Sequence, residues 1–209
     1  LNHDKPEGGV EAAVVNLISG FRQVDGINLD VIAFNKQVGN KKIEQITRTI
    51  KIHYYPSGKY KLSLVDILLY QRRELENIID ELRPDIIHFQ GSGPTLLRLL
   101  MIPKKNIIIT QHGIVGRELK HQTDIYNRIK FIFKTIVDLI YYPSFNNYIF
   151  VSEYSKNQFS IKRLSRCNYS IIFNAVNDIF FEADNSKSEH NHIIYIGWIS
   201  LLKNITLVI

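Results

Sequence analysis

Short apolar runs alternate with stretches of helical period along most of this chain, and that alternation limits the folds available to it. The clearest run is Asn106–Gln111, in which three consecutive isoleucines precede a polar end. Uninterrupted apolar runs of this length are typical of strands buried on both faces of a parallel sheet. Strands separated by helices form right-handed βαβ units, so the sequence predicts an α/β fold with a doubly wound parallel sheet.

Periodicity and turn residues give the expected elements. We predict helices over residues 10–22, 62–82, 95–101, 125–142 and 153–164, and strands over residues 29–34, 46–55, 85–89, 106–111, 148–152 and 169–173.

The two ends of the chain suggest a fragment. Only seven residues, mostly polar, precede the glycine pair that opens the first helix, so the first strand of the sheet is expected to be missing. We predict one Rossmann-like domain over residues 1–181, a polar linker over 182–191, and the truncated start of a second Rossmann-like domain over 192–209. A single strand and helix cannot bury their own apolar faces.

Composition excludes several classes of protein. Hydrophobic residues make up 45% of the chain, which is ordinary for a globular protein, and no apolar run approaches the roughly 20 residues that span a bilayer. No secretory signal is apparent and Cys167 is the only cysteine, so we expect a cytoplasmic protein without an internal disulfide. The net charge of +6 comes from scattered basic residues, which favours a nucleotide ligand or a membrane surface over nucleic acid.

Three short motifs are candidates for chemistry. His112-Gly113 ends the strand described above, where α/β sheets bind ligands; a structural histidine is an equally weighted alternative. Gly8-Gly9 precedes a helix and suits a phosphate, although an isolated glycine pair is more often an ordinary loop. Lys203 lies near a later helix start and suits a diphosphate or, alternatively, is a surface lysine.

A metal site is not predicted. His190 and His192 are two residues apart in the polar linker, but no third ligand lies near them in the sequence.

Several stretches, taken together and in chain order, resemble the GT-B glycosyltransferases of the family 4 type. They are Glu7–Glu11 (EGGVE), Arg83–Gly91 (RPDIIHFQG), Thr110–Gly113 (TQHG), Val151–Phe159 (VSEYSKNQF), Phe173–Phe181 (FNAVNDIFF) and Tyr195–Asn204 (YIGWISLLKN). Each is loose, but their order and spacing are specific. The resemblance covers nearly the whole chain and implies the acceptor-side domain of such an enzyme, followed by the start of its donor-binding domain.

The resemblance implies transfer of a sugar from a nucleotide-diphosphate sugar to a glycan or lipid-linked acceptor, with retention and without a metal or another cofactor. By resemblance, His112 lies beside the transferred sugar as the catalytic residue, and Lys203 neutralises the diphosphate. The implied donor- or acceptor-binding residues are Gly8, Gly9, Gly113, Asn174, Gly197 and Lys203.

The chain departs from the family pattern at three points. Trp198 replaces an arginine, Ala175 replaces a glycine, and the paired glutamates that bind the donor lie beyond residue 209. We therefore expect the fragment alone to be inactive. The alternatives are a catalytically dead remnant or binding module of the same fold and, more weakly, a nucleotide-sugar epimerase.

The helix over residues 124–142 carries Arg128, Lys130 and Lys134, so it suits the inner face of an anionic membrane as a peripheral contact. Its mixed pattern favours the other interpretation, a helix that packs its apolar side into the core.

Overall fold

The computed structural model describes residues 6, 8–60, 63–91, 93–99, 102–103, 106–113, 124–141, 144–159, 164–177 and 181–182. Strands are β1 (Leu29–Asn35), β2 (Lys42–Gln45), β3 (Ile50–Pro56), β4 (Ile87–Gln90), β5 (Ile107–Gln111), β6 (Asn147–Phe150) and β7 (Asn168–Ile171). Helices are α1 (Gly9–Phe21), α2 (Arg72–Leu82), α3 (Ile125–Tyr141) and α4 (Glu153–Asn157). A helical turn (Ser63–Val65) and a π-helix (Asp66–Gln71) lead into α2, and a 3₁₀-helix (Gly93–Leu99) follows β4.

The strands form two sheets. One has the order β4-β5-β6-β7, with every neighbouring pair parallel, and the other has the order β1-β3-β2. In the second sheet β1 pairs with β3 in parallel, and β2 pairs with β3 in antiparallel fashion. The predicted α/β fold with a Rossmann-like parallel sheet is confirmed.

One apolar core spans both sheets. It combines Tyr55 from β3 with Ile107 and Ile109 from β5, Phe150 from β6, and Leu75 from α2. Four of these side chains come from strands of the two different sheets, so a single core fixes the sheets relative to each other. Aromatic rings strengthen the β6 side, where the Phe150 ring centroid lies 4.9 Å from that of Phe159 in an edge-on arrangement.

A second core lies under α1. Ile18 is 1% exposed and packs with Ala33, Ile50 and Ile52. Alternate residues of a strand point to opposite faces, so β1 and β3 supply both cores. Towards its end, α1 contributes Phe21 to the same cluster as Leu29, the first residue of β1.

The structure corrects several predicted elements. Residues 46–55 do not form one strand, because the chain reverses around Thr47–Thr49 and separates β2 from β3; the backbone N–H groups of Ile46 and Thr47 donate to the Ile50 carbonyl. The segment after β4 is a 3₁₀-helix rather than an α-helix, and α4 ends at Asn157. The predicted linker at 182–191 and the unit at 192–209 lie outside the described residues, apart from residue 182.

No helix within the ranges given above is both long and apolar enough to cross a bilayer.

Candidate functional site

A chain of polar side chains follows the carboxyl ends of β4 and β5. The Nε2 atom of His112 lies 2.6 Å from Oε1 of Gln90, and Nε2 of Gln90 lies 3.0 Å from Nε2 of His88. His88 Nε2 also lies 2.6 Å from the hydroxyl of Thr110. Parallel pairing sets Gln90 beside Thr110, which brings these four side chains to one end of the sheet.

The carboxamide of Gln90 sets the proton positions in this chain. Its oxygen can only accept, so His112 Nε2–H donates to it. Its nitrogen can only donate, so His88 accepts at Nε2, and the single lone pair of that nitrogen is shared between the Gln90 amide and the Thr110 hydroxyl. With this amide orientation, His112 is protonated at Nε2 and carries its lone pair at Nδ1.

Both imidazoles are neutral near pH 7. Burial lowers the pKa of His112 below its ordinary 6.5. Burial likewise lowers the pKa of His88, and the neighbouring His112 lowers it further. A neutral imidazole at the end of β5 can accept a hydrogen bond or a proton from a ligand.

Two residues close to these polar side chains shape the turns that follow β5 and β4. The Gln111 side chain is 1% exposed, and its amide donates to the Gly113 carbonyl, which anchors the turn after β5. At Gly91, a Cβ atom would lie 3.1 Å from the Phe89 ring and 3.2 Å from the Thr95 hydroxyl. Glycine at this position therefore lets the chain turn tightly from β4 into the 3₁₀-helix.

The glycine pair opens α1 without a side-chain cap. Gly8 is the N-cap residue in an extended conformation that any residue can adopt, and as a glycine it has no side chain to cap the first-turn N–H groups. A Cβ added at Gly8 or Gly9 would meet no atom within 4 Å. Among the residues that the structure describes, neither backbone conformation nor packing requires glycine at these positions, and the pair leaves room for a ligand to approach the first-turn amides.

The loop after β7 lies against α1. The side-chain amide of Asn16 donates to the Ala175 carbonyl at 2.9 Å, which brings Asn174 and its neighbours beside the helix. The sequence-predicted residues thus fall into two described groups: His112 and Gly113 after β5, and Gly8, Gly9 and Asn174 around α1. Gly197 and Lys203 lie outside the described residues.

Sequence reasoning missed the partners of His112. Gln90 and His88 lie two residues apart on one side of β4, but only the register with β5 shows that they meet Thr110 and His112. The signal in the sequence was the polar pattern His88-x-Gln90 at the end of an apolar strand.

A buried cation and a buried carboxylate were also missed. The Arg98 guanidinium lies 4.7 Å from the centre of the Phe34 ring, at the carboxyl end of β1. Burial lowers the pKa of Arg98 to about 10, against the opposing effect of Asp66, and the residue stays charged at pH 7. Asp66 is 1% exposed and accepts hydrogen bonds from the backbone N–H groups of Gly58 and Tyr60, at 2.9 and 3.1 Å.

A cavity of about 580 Å³ lies at the opposite edge of the parallel sheet. It is lined by the amino ends of the strands, including Asp85, Asn106 and Asn147. Ligands of open α/β sheets bind beyond the carboxyl ends, so the His112 edge is the better candidate site. Within the described ranges, no three His, Cys, Asp or Glu side chains come close enough to hold a metal ion.

The fold and the polar edge define a Rossmann-like α/β protein with a candidate ligand site at the carboxyl ends of its parallel strands. The chain matches the family model described as Glycosyltransferase Family 4 over residues 7–179. Because that match covers most of the sequence, the chain belongs to this family, and its function is of the glycosyltransferase type. A search of curated proteins gave no match.

Proposed function

We propose that the protein transfers a sugar from a nucleotide-diphosphate sugar to a glycan or lipid-linked acceptor, with retention at the anomeric carbon. The proposal rests chiefly on one observation, the neutral His112 held by Gln90 at the carboxyl end of β5. Residues 1–181 serve as the acceptor-side domain, residues 182–191 as a linker, and residues from 192 onward as the start of the donor-binding domain.

The reaction breaks the bond between the anomeric carbon and the diphosphate oxygen, and the electron pair leaves with the diphosphate. The acceptor hydroxyl oxygen forms the new bond on the same face of the sugar, and its proton passes to the departing phosphate oxygen. His112 hydrogen-bonds the transferred sugar and keeps it oriented during this exchange.

The departing diphosphate needs positive charge or oriented dipoles. We assign that role to the first-turn amides behind Gly8 and Gly9 and to Lys203. The position of Gly8 at the N-terminus of α1 and the open space around both glycines support the first assignment. Gly113, Asn174 and Gly197 complete the proposed binding set. In this proposal the reaction requires neither a metal ion nor another cofactor.

A second candidate is a binding module of the same fold that no longer turns over. Trp198 favours it, because tryptophan offers a stacking surface but no charge where the family pattern has an arginine. Both candidates place the protein in the cytoplasm, in keeping with its single cysteine, Cys167.

The test is a screen of UDP- and GDP-sugars with the full-length gene product, because the proposal assigns donor recognition to residues beyond 191. Release of nucleoside diphosphate that depends on an acceptor, survives EDTA and yields a product of retained anomeric configuration supports the proposal. Tight nucleotide binding without release favours the binding module. Loss of transfer in EDTA would contradict the metal-free assignment.

A further inference from the structure

Helix α3 presents a stripe of large apolar side chains to solvent. Seven residues that recur at helical period along one side of the helix are between 42% and 75% exposed: Ile125, Ile129, Ile132, Phe133, Ile136, Leu139 and Ile140. We call this set the α3 stripe. The expectation that the apolar side packs into the core holds only at Val137, which packs with Leu97 and Ile67, whereas the seven residues of the α3 stripe stay exposed.

Basic side chains flank the α3 stripe. Arg128 and Lys130 precede and follow Ile129, and both are exposed. At helical spacing they fall on the two opposite borders of the stripe. The helix sequence contains three basic residues and one acidic residue, Asp138. Asp124, just before the helix, accepts a hydrogen bond from the backbone N–H of Asn127 at 2.9 Å and caps the first turn.

We propose that α3 docks on an anionic lipid surface, parallel to the membrane plane. The α3 stripe enters the boundary between headgroups and acyl chains, and the flanking cations lie at the level of the lipid phosphates. An apolar stripe bordered by Lys and Arg is the pattern of helices that bind membrane surfaces. Each such cation near an anionic leaflet adds to the attraction. At 17 residues the helix is roughly 25 Å long, shorter than the roughly 30 Å hydrocarbon core of a bilayer.

Charge favours a membrane over a second copy of the chain as the partner of the α3 stripe. A parallel two-fold contact between two α3 stripes would bring Arg128 and Lys130 of one copy beside the same residues of its partner. Like charges brought together in this way oppose association. An anionic surface, in contrast, neutralises all of them, and the net charge of +6 acts in the same direction.

The first test is co-sedimentation of the 209-residue chain with vesicles. Binding to vesicles in which about a third of the lipid is phosphatidylglycerol, weaker binding to pure phosphatidylcholine, and release by salt are expected. Hydrogen exchange on the same unsubstituted chain should slow within residues 125–141 when anionic vesicles are added. This second measurement decides the question even if a substituted chain fails to fold.

The apolar contribution is tested by the double substitution Ile129→Ser and Ile136→Ser. These residues are 64% and 47% exposed, so the fold should tolerate the change. Partitioning onto anionic vesicles should fall at least about tenfold, because apolar area drives insertion. Ile43→Ser is the matched control, since Ile43 is 63% exposed but lies on β2. It should leave partitioning unchanged.

The basic contribution is tested by Arg128→Glu with Lys130→Glu. The matched control is Arg48→Glu with Lys51→Glu, which changes the net charge equally at two exposed positions near β3. The first pair should weaken binding by about tenfold or more and the control pair by much less, since attraction falls off within a Debye length.

Three results would overturn the proposal. The first is no binding to anionic vesicles, and the second is equal binding by the helix variants and their controls. The third is a concentration-dependent dimer, without vesicle binding, that the double isoleucine substitution dissolves; this would assign the α3 stripe to a second copy of the chain. None of these tests depends on sugar transfer, so they remain separate from the proposed reaction.

Discussion

Replacing Gln90 by leucine isolates the residue that holds His112. Leucine keeps a similar size but removes both polar contacts, the 2.6 Å bond to His112 and the 3.0 Å bond to His88. A typical hydrogen bond contributes roughly 0.5–1.5 kcal/mol. Gln90 is half-buried, so water can hydrogen-bond the His112 and His88 rings once the Gln90 amide is removed. We therefore expect unfolding free energy to fall by about 1–2 kcal/mol, and the chain to remain folded.

The larger expected effect of Gln90→Leu is on which ring nitrogen of His112 carries the proton. In the wild-type chain the Gln90 oxygen selects the form of His112 that is protonated at Nε2. Gln90→Leu removes this selection, so His112 should become a mixture of the two neutral forms. Gln90→Glu is the informative control, because a carboxylate keeps an acceptor for Nε2–H. Its charge should also raise the pKa of both imidazoles.

The assay is NMR of the chain labelled with ¹⁵N-histidine, followed through a pH titration. We expect the wild-type signals to report His112 protonated at Nε2 and His88 protonated at Nδ1, and Gln90→Leu to lose that uniform assignment for His112. In the full-length gene product, kcat should fall about 10–100-fold while donor affinity changes little. A wild-type His112 protonated at Nδ1, or identical ring signals in Gln90→Leu, would refute the reasoning.

Three further predictions concern stability and pH. Asp66→Ala should lower the urea-unfolding free energy by about 1–3 kcal/mol, because it removes the acceptor of the buried Gln71 amide and of the Gly58 and Tyr60 N–H groups; the exposed Asp80→Ala should change it by less than about 0.5 kcal/mol. Phe150→Ala removes a fully buried ring and should cost about 3–5 kcal/mol in calorimetry, against little change for Phe173→Ala, which is 71% exposed. Burial lowers the pKa of His112 in the folded chain, so as pH falls the unfolded chain binds this proton at a higher pH than the folded chain does. The unfolding free energy should therefore fall as pH drops below about 6.5. His112→Asn should reduce this pH dependence, as measured by urea titrations at several pH values.

The sequence predicted strand β5 and the position of His112 at its end because a strand buried on both faces is a continuous apolar run. It did not predict the contact with Gln90, since that contact depends on the pairing register of β4 and β5. The sequence did not predict the hairpin at Thr47–Thr49 for two reasons. Strand β2 is short and polar, and Ile46 has the same alternation as the apolar residues of β3, so residues 46–55 were interpreted as one strand.

Helix α3 shows a different limit. Its period identified the apolar side correctly, with Ile129 and Ile136 on it, but period alone cannot show whether anything covers that side. The sequence did not reveal the shielding of Arg98 and Asp66 for a related reason. Charged residues are usually exposed, and only the packing of the π-helix against the 3₁₀-helix shows that these two are shielded.

The central claim is that His112 acts on the sugar at the carboxyl end of β5, and its most direct test is the transfer rate of His112→Ala in the full-length gene product. We predict that kcat falls by at least ~100-fold, while the thermal unfolding midpoint and nucleotide affinity stay close to wild type. Unchanged transfer by a folded His112→Ala enzyme would contradict the assignment.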